Sequence, residues 1–174
     1  MVNPPDHMDR IIAQWRRERP DLDVASIALL GRLFRSAQLA DEALSDGIAP
    51  HGLQPGWFDL LAALRRSGTP YELNPTTLME TTMLSSGGMT KRLDRLHEAG
   101  LIERLPDPSD RRGTLIRLTA HGKATIDEAV ETHARNEETL LRSLTAADRR
   151  ALDVLLRKLL AGIERQTSIP SASR

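Results

Sequence analysis

The chain has no cysteine among its 174 residues, which excludes a disulfide framework, a thiolate metal site and redox sensing through thiols. Nothing in it calls for an oxidising compartment. It also lacks a charged-apolar-small leader and any apolar run long enough to span a bilayer, so a soluble, cytoplasmic protein is expected. No excess of charge of either sign is present: 24 basic residues balance 24 acidic ones, for a formal net charge of +0. Any case for a polyanionic partner must therefore be local. There is no phosphate-cradling glycine motif, no nucleophile elbow and no His-Glu-x-x-His, and His7, His51, His97, His121 and His133 share no metal-ligand spacing. A catalytic role has no residues to stand on, no metal or cofactor is implied, and the histidines are expected in solvated or capping roles. Internal repeats and low-complexity segments are missing as well.

What the chain does have is helical patterning, over a length that suits one domain or one domain with helical extensions. After a loose start over 1–8, Met8, Ile11, Ile12 and Trp15 predict a helix from Asp9 to Arg19, stopped by Pro20. Asp23 is placed to cap a longer helix to about Ser45, with Ile27, Leu30, Phe34, Ala37 and Leu44 on one face and Gly47 at its end. Pro55 opens a helix over 56–67 whose Phe58, Leu61, Ala62 and Leu64 face inward, and Asn74-Pro75 starts a short one to about Thr82. The next begins near Ser85 and stops at Gly100. Leu101 to Leu105 and Thr114 to Leu118 alternate as strands, joined by a loop that reads Asp107-Pro108-Ser109-Asp110-Arg111-Arg112-Gly113. Thr119 caps a long helix to about Leu144, and Thr145 with Asp148 forms a capping box that opens a last helix to Arg165.

The predicted fold is mainly α with a small β-wing: N-terminal helices over 9–54, a winged helix-turn-helix over 55–118, C-terminal helices over 119–165 and a flexible tail over 166–174. Leu152, Leu155, Leu156, Leu159, Leu160 and Ile163 stripe the final helix. Such terminal helices can pack on each other within one chain or against a second copy. The dimer is favoured, because two-fold symmetry sets two reading helices about 34 Å apart, one turn of DNA.

At about 100° per residue, Met89, Leu93 and Leu96 point together as the buried side of the helix from Ser85. Ser85, Ser86, Gly87 and Thr90 near its N-terminal end permit close approach of a phosphate, while Lys91 and Arg95 on the outer side can reach base edges or phosphates. Asp94 and Glu98 share that outer side, so a plain solvated face of mixed charge is the competing reading. The hairpin tips the balance toward DNA. Its Arg111 and Arg112, with Asp107 and Asp110 close by, suit a protruding loop that enters the minor groove.

On these residues the chain resembles the MarR family of bacterial transcription regulators. The likeness runs through Leu84-Ser85-Ser86-Gly87-Gly88-Met89-Thr90-Lys91-Arg92-Leu93-Asp94-Arg95-Leu96, then Gly100-Leu101-Ile102-Glu103-Arg104. The family's wing signature, Asp-x-Arg, five residues, Leu-Thr, falls on Asp110, Arg112, Leu118 and Thr119 without a gap. The resemblance implies a homodimer on a pseudo-palindromic site of double-stranded DNA, usually a repressor relieved by a small molecule. A narrower resemblance is to the urate-responsive subgroup, whose N-terminal Trp, pre-motif Asp, recognition-helix Arg and wing-strand Arg correspond to Trp15, Asp59, Arg92 and Arg104.

The residues agree with this in part. Arg92 lies only about 60° from the buried direction of its helix, so it points inward and needs an acidic partner or an anion. Asp59 is the natural partner, and a planar anion stacked on Trp15 is the alternative occupant. Plainer roles remain open: Trp15 as an anchor of the first helix, Asp59 with Arg92 as a structural ion pair, Arg104 on a phosphate. A different phenolic or carboxylate ligand is the competing effector. At the level of function, the alternative to a DNA-binding regulator is a winged-helix module for protein contacts, supported by the neutral net charge.

Overall fold

The computed structural model describes residues 4–82 and 88–167, with the backbone alone at 111 and 112. The first helix, α1 (His7–Glu18), starts at His7 rather than Asp9, because Asp6 and Asp9 form a reciprocal capping box with two hydrogen bonds of 2.9 Å. The second, α2 (Ala25–Ile48), carries Arg32, which donates to Asp6 at 2.7 Å and to Asp9 at 2.5 Å. The Arg32 guanidinium holds the Asp6 carboxyl down at about 2. Beside this clasp the Met8 side chain occupies the space where a Cβ of Gly31 would stand. Charge and packing together pin α1 on α2.

Two expectations for α2 need correction. Asp23 does accept from the Ala25 amide at 3.0 Å, but the capping position itself is held by Val24, which has no side-chain acceptor. Nor does Gly47 end the helix. The chain runs on to Ile48, itself 2% exposed, and through a single 3-10 turn at Ala49–His51 before Gly52 turns it. A helical glycine costs only about 1 kcal/mol, and burying an isoleucine side chain returns more than that, about 1.5–3 kcal/mol.

The third helix, α3 (Pro55–Arg66), supplies more of the hydrophobic core than any other element. Phe58, Leu60, Leu61, Ala62, Ala63 and Leu64 are all buried, so it is enclosed on more sides than the single face predicted. Around it stand β1 (Glu72–Leu73), α4 (Pro75–Glu80), α5 (Met89–Glu98), β2 (Ile102–Asp107), β3 (Asp110–Leu118) and α6 (Ala120–Leu140). Asn74 caps α4 by accepting from the Thr77 amide at 2.9 Å, and the helix ends at Glu80 rather than Thr82. The core comprises Leu60, Leu61 and Leu64 of α3 with Leu78, Leu96, Ile102, Ile116 and Ile126.

The strands form an antiparallel sheet in the order β1-β3-β2, with Ile102 opposite Leu118 and Arg104 opposite Ile116. The two-residue β1 was not foreseen from the sequence, being too short to show alternation. It is fastened by Glu72, which accepts from Arg117 of β3 at 2.7 Å; the same guanidinium reaches Glu103 of β2 at 3.7 Å and so laces three strands. Thr119 then caps α6 as predicted, accepting from the Gly122 amide at 2.9 Å while donating to the Gly100 carbonyl at 2.7 Å. Gly122 permits that docking, since a Cβ there would collide with the Leu101 carbonyl.

Contacts divide the chain into two units, one up to Ala134 and one from Arg135, with α6 passing through the boundary. In the second unit α6 stops at Leu140 rather than Leu144, because Arg149 donates to Glu138 at 2.7 Å and to the Leu141 carbonyl at 2.8 Å across the turn. The last helix, α7 (Ala146–Thr167), opens on the predicted box: Asp148 accepts from the Thr145 amide at 3.0 Å, and its own amide donates to Thr145 Oγ1 at 3.2 Å. No residue of α7 is buried, and Leu155 is 63% exposed. Among the described residues no helix is long and apolar enough to cross a membrane.

Candidate functional site

The chain enters α5 through Gly88, whose φ of 82° belongs to the left-handed region that favours glycine. From there the angular reading of the sequence is realised. Met89, Leu93 and Leu96 are buried, while Thr90, Lys91, Arg95 and Glu98 are exposed. Ser85, Ser86 and Gly87 lie outside the described residues. Asp94 is half-buried and forms an ion pair with Arg104 of β2 at 2.8 Å, so one acid of the outer side is neutralised within the protein.

The hairpin differs from its prediction. Its strands extend to Asp107 opposite Asp110, past an irregularity between Pro106 and Asp107, leaving Pro108 and Ser109 as a two-residue turn. The backbone of Arg111 and Arg112 therefore belongs to β3, not to the turn. Asp107 closes the tip by accepting from the Ser109 amide at 2.8 Å and the Ser109 hydroxyl at 2.6 Å. Those bonds, the hydroxyl first, hold its carboxyl below the usual value. A proline, a serine and two acids look like loop chemistry in the sequence, but the ladder continues because pairing across an irregularity needs no local alternation.

Inside the molecule, Arg92 is half-buried and its side chain lies across Gly56, where a Cβ would meet Nε at 2.9 Å. Asp59, one turn along α3, is also half-buried, and desolvation pushes its carboxyl above the ordinary value. His133 opposes that shift most strongly, Arg66 next, and Arg92 more weakly. Asp59 and Arg92 thus share a neighbourhood, but the leading counter-charge is a histidine of α6 that sequence reasoning did not select. His133 is neither solvated nor capping: it is half-buried, with its ring stacked on Phe58 at 4.5 Å between centroids and 30° between planes. No local signal could have found it, since the contact joins segments that only the fold brings together. Arg66 was missed for the same reason; it donates to the Thr81 carbonyl at 3.1 Å. Of the remaining residues, Arg104 is engaged by Asp94, and Trp15 stands on α1 with 42% of its surface exposed.

A cleft of about 340 Å³ opens between the two elements, walled by residues 54–57 on one side and by Gly88, Lys91, Arg92 and Arg95 on the other.

A central helix, a second helix presenting cations, and a laced hairpin beside it define a winged helix-turn-helix protein. A family model described as MarR family matches residues 51–113. The HTH-type transcriptional regulator PecS of Dickeya dadantii is 40% identical over 146 residues, covering 84% of this chain and 88% of that protein. Among solved structures, a mutant MarR from Escherichia coli complexed with operator DNA matches with a TM-score of 0.69 and 31% identity, over 79% of this chain and 97% of that one. Bordetella bronchiseptica BpsR, solved for the mechanism by which 6-hydroxynicotinic acid regulates its DNA binding, matches with a TM-score of 0.66 and 27% identity, over 74% and 90%. The chain belongs to the MarR family of transcription regulators. It is a regulator, as its relatives are, and not an enzyme.

Proposed function

We propose that the protein is a homodimeric, sequence-specific repressor that binds a pseudo-palindromic operator in the cytoplasm and is released by a small anionic aromatic ligand, urate or a related purine. The observation that carries the DNA reading is the exposed row Thr90, Lys91 and Arg95 on α5, beside a hairpin whose paired strands reach out to Asp107 and Asp110. Ser85, Ser86, Gly87, Asp110, Arg111 and Arg112 complete the DNA-facing set in this reading. The dimer is supported by α7, a 22-residue helix with no buried residue. A helix striped with leucine needs a partner to cover it.

For the effector, Arg92 and Arg104 supply positive charge, Asp59 a carboxyl whose burial favours its neutral form, and Trp15 an aromatic face. Arg92 belongs to the same helix as the DNA-facing row, so ligand drawn to it moves α5 and lowers affinity for DNA. A second reading, an aromatic acid rather than a purine, is favoured by the regulation of BpsR by 6-hydroxynicotinic acid.

A gel-shift titration on a selected operator tests the first part. Arg112→Ala is expected to weaken binding by about 1–3 kcal/mol with fold and dimer intact; unchanged affinity removes the wing from the interface. For the second part, urate should release the DNA from the wild type and do so poorly from Trp15→Phe or Arg92→Ala. Calorimetry showing no heat with urate or xanthine, but heat with an aromatic acid, decides for the second reading.

A further inference from the structure

We propose that the cleft between the start of α3 and α5 seats one backbone phosphodiester of duplex DNA, so that Lys91 and Arg95 bind phosphate rather than base edges. The inference rests on the DNA-binding reading above and assigns the chemistry of one contact within it.

Charge is the first argument. The protein has a formal net charge of +0, yet Lys91, Arg92 and Arg95 fall within five residues and all line this one cleft. Lys91 and Arg95 are four apart on a helix, a spacing at which like charges repel. Among the described residues, no carboxylate lines the cleft, and neither Lys91 nor Arg95 forms an ion pair. The acid best placed to neutralise them, Asp94, is instead committed to Arg104 at 2.8 Å. Lys91 and Arg95 are therefore left for an external anion to neutralise.

Shape is the second. Base edges are read by side chains that project from a helix into a groove, whereas these cations face a recess of about 340 Å³ between two elements. A recess on the flank of a groove-bound helix meets the strand that borders the groove. The volume admits a phosphate with some of its waters, and an arginine fork matches two phosphate oxygens. The opposite wall includes Gln54 and Trp57, residue types whose side chains carry N–H donors of the kind that fix a phosphate in place without reading sequence. Arg92, lying across Gly56, forms the floor and adds charge without leaving the protein.

The test compares full-length wild type with Lys91→Ala and Arg95→Ala, whose exposed positions leave folding unaffected, as circular dichroism would verify. Binding to the selected operator and to an unrelated duplex is measured across a salt series. Each variant is expected to lower the slope of log affinity against log salt by about one unit, with the same fold loss on both duplexes. An unchanged slope, or a loss confined to the operator, overturns the phosphate seat and returns these residues to base reading. A wild type that binds no duplex at any salt overturns the DNA reading and the seat together. Calorimetry with inorganic phosphate covers the other source of the same chemistry: saturable binding lost in the variants, alongside an unchanged salt slope, assigns the cleft to a free oxyanion instead.

Discussion

α3 and α7 are both amphipathic helices rich in leucine, and the chain treats them in opposite ways. Twelve residues of α3 include six that are buried; twenty-two residues of α7 include none. The first helix is completed by its own chain, enclosed by α4, α5 and β3. The second presents Leu155 and Leu160 at 63% and 58% exposure. Apolar area left in water is stabilisation not yet realised, at about 25 cal/mol per Å². The contrast separates residues that hold the fold from residues whose apolar surface the fold leaves uncovered.

Five substitutions sharpen or break that contrast. The largest effect is expected at the α3 core. Leu61, fully buried, should destabilise the chain by about 2–5 kcal/mol when replaced by alanine, read from the midpoint of denaturant unfolding. Next is the docking of α6 on the module. In Gly122→Ala the new methyl has to displace the Leu101 carbonyl, a strain of about 1–3 kcal/mol in the same assay. A value near zero would mean that the two segments separate freely. Third, Leu155→Ala should leave unfolding at low concentration unchanged and shift sedimentation from dimer toward monomer by about 1 kcal/mol or more. A drop in monomer stability would place α7 among the elements that hold the fold and dissolve the contrast.

The smallest effect concerns the half-buried Asp59 of α3. Burial raises the Asp59 carboxyl, so the fold favours its neutral form. Stability from that group is fully present below its unfolded value and is lost as pH rises through its folded value. Asp59→Asn should therefore raise the melting temperature slightly at neutral pH while impairing release by ligand. Asp127 has the opposite sign. Lys123 first and Arg65 next hold its carboxyl down, so its contribution is present above the unfolded value and lost as pH falls through the folded one. In acid, wild type should lose more stability than Asp127→Asn. A melting temperature of Asp59→Asn that falls at neutral pH would reveal a needed structural ion and not a tolerated functional one.

The parts of this protein that could be read in advance are those with a local cause. The buried side of α5 followed from residue spacing alone, because helical geometry assigns a direction to each position whatever surrounds it. Asn74 before α4, and Thr145 with Asp148 before α7, announced helix starts because a cap needs only its own first turn. Where the cause was remote, reading stopped short. β1 exists because Arg117 and Ile116 lie opposite Glu72 and Leu73, not because two residues show a pattern. Asp107 and Asp110 pair at the wing tip through β3, although their neighbours read as loop. The candidate pocket divides in the same way. The inward lean of Arg92 could be seen on a helical wheel, but the weight of His133 on Asp59 could not.

Composition and periodicity were enough to establish a helical protein without thiol chemistry, carrying a hairpin after an amphipathic helix, since these follow from residue types and their spacing along one segment. Folding alone decided which leucines found cover, which acid was neutralised by which base, and that three cations of a neutral chain border one recess. Burial and electrostatic partnership are properties of segments far apart in sequence, and they come into being when those segments meet.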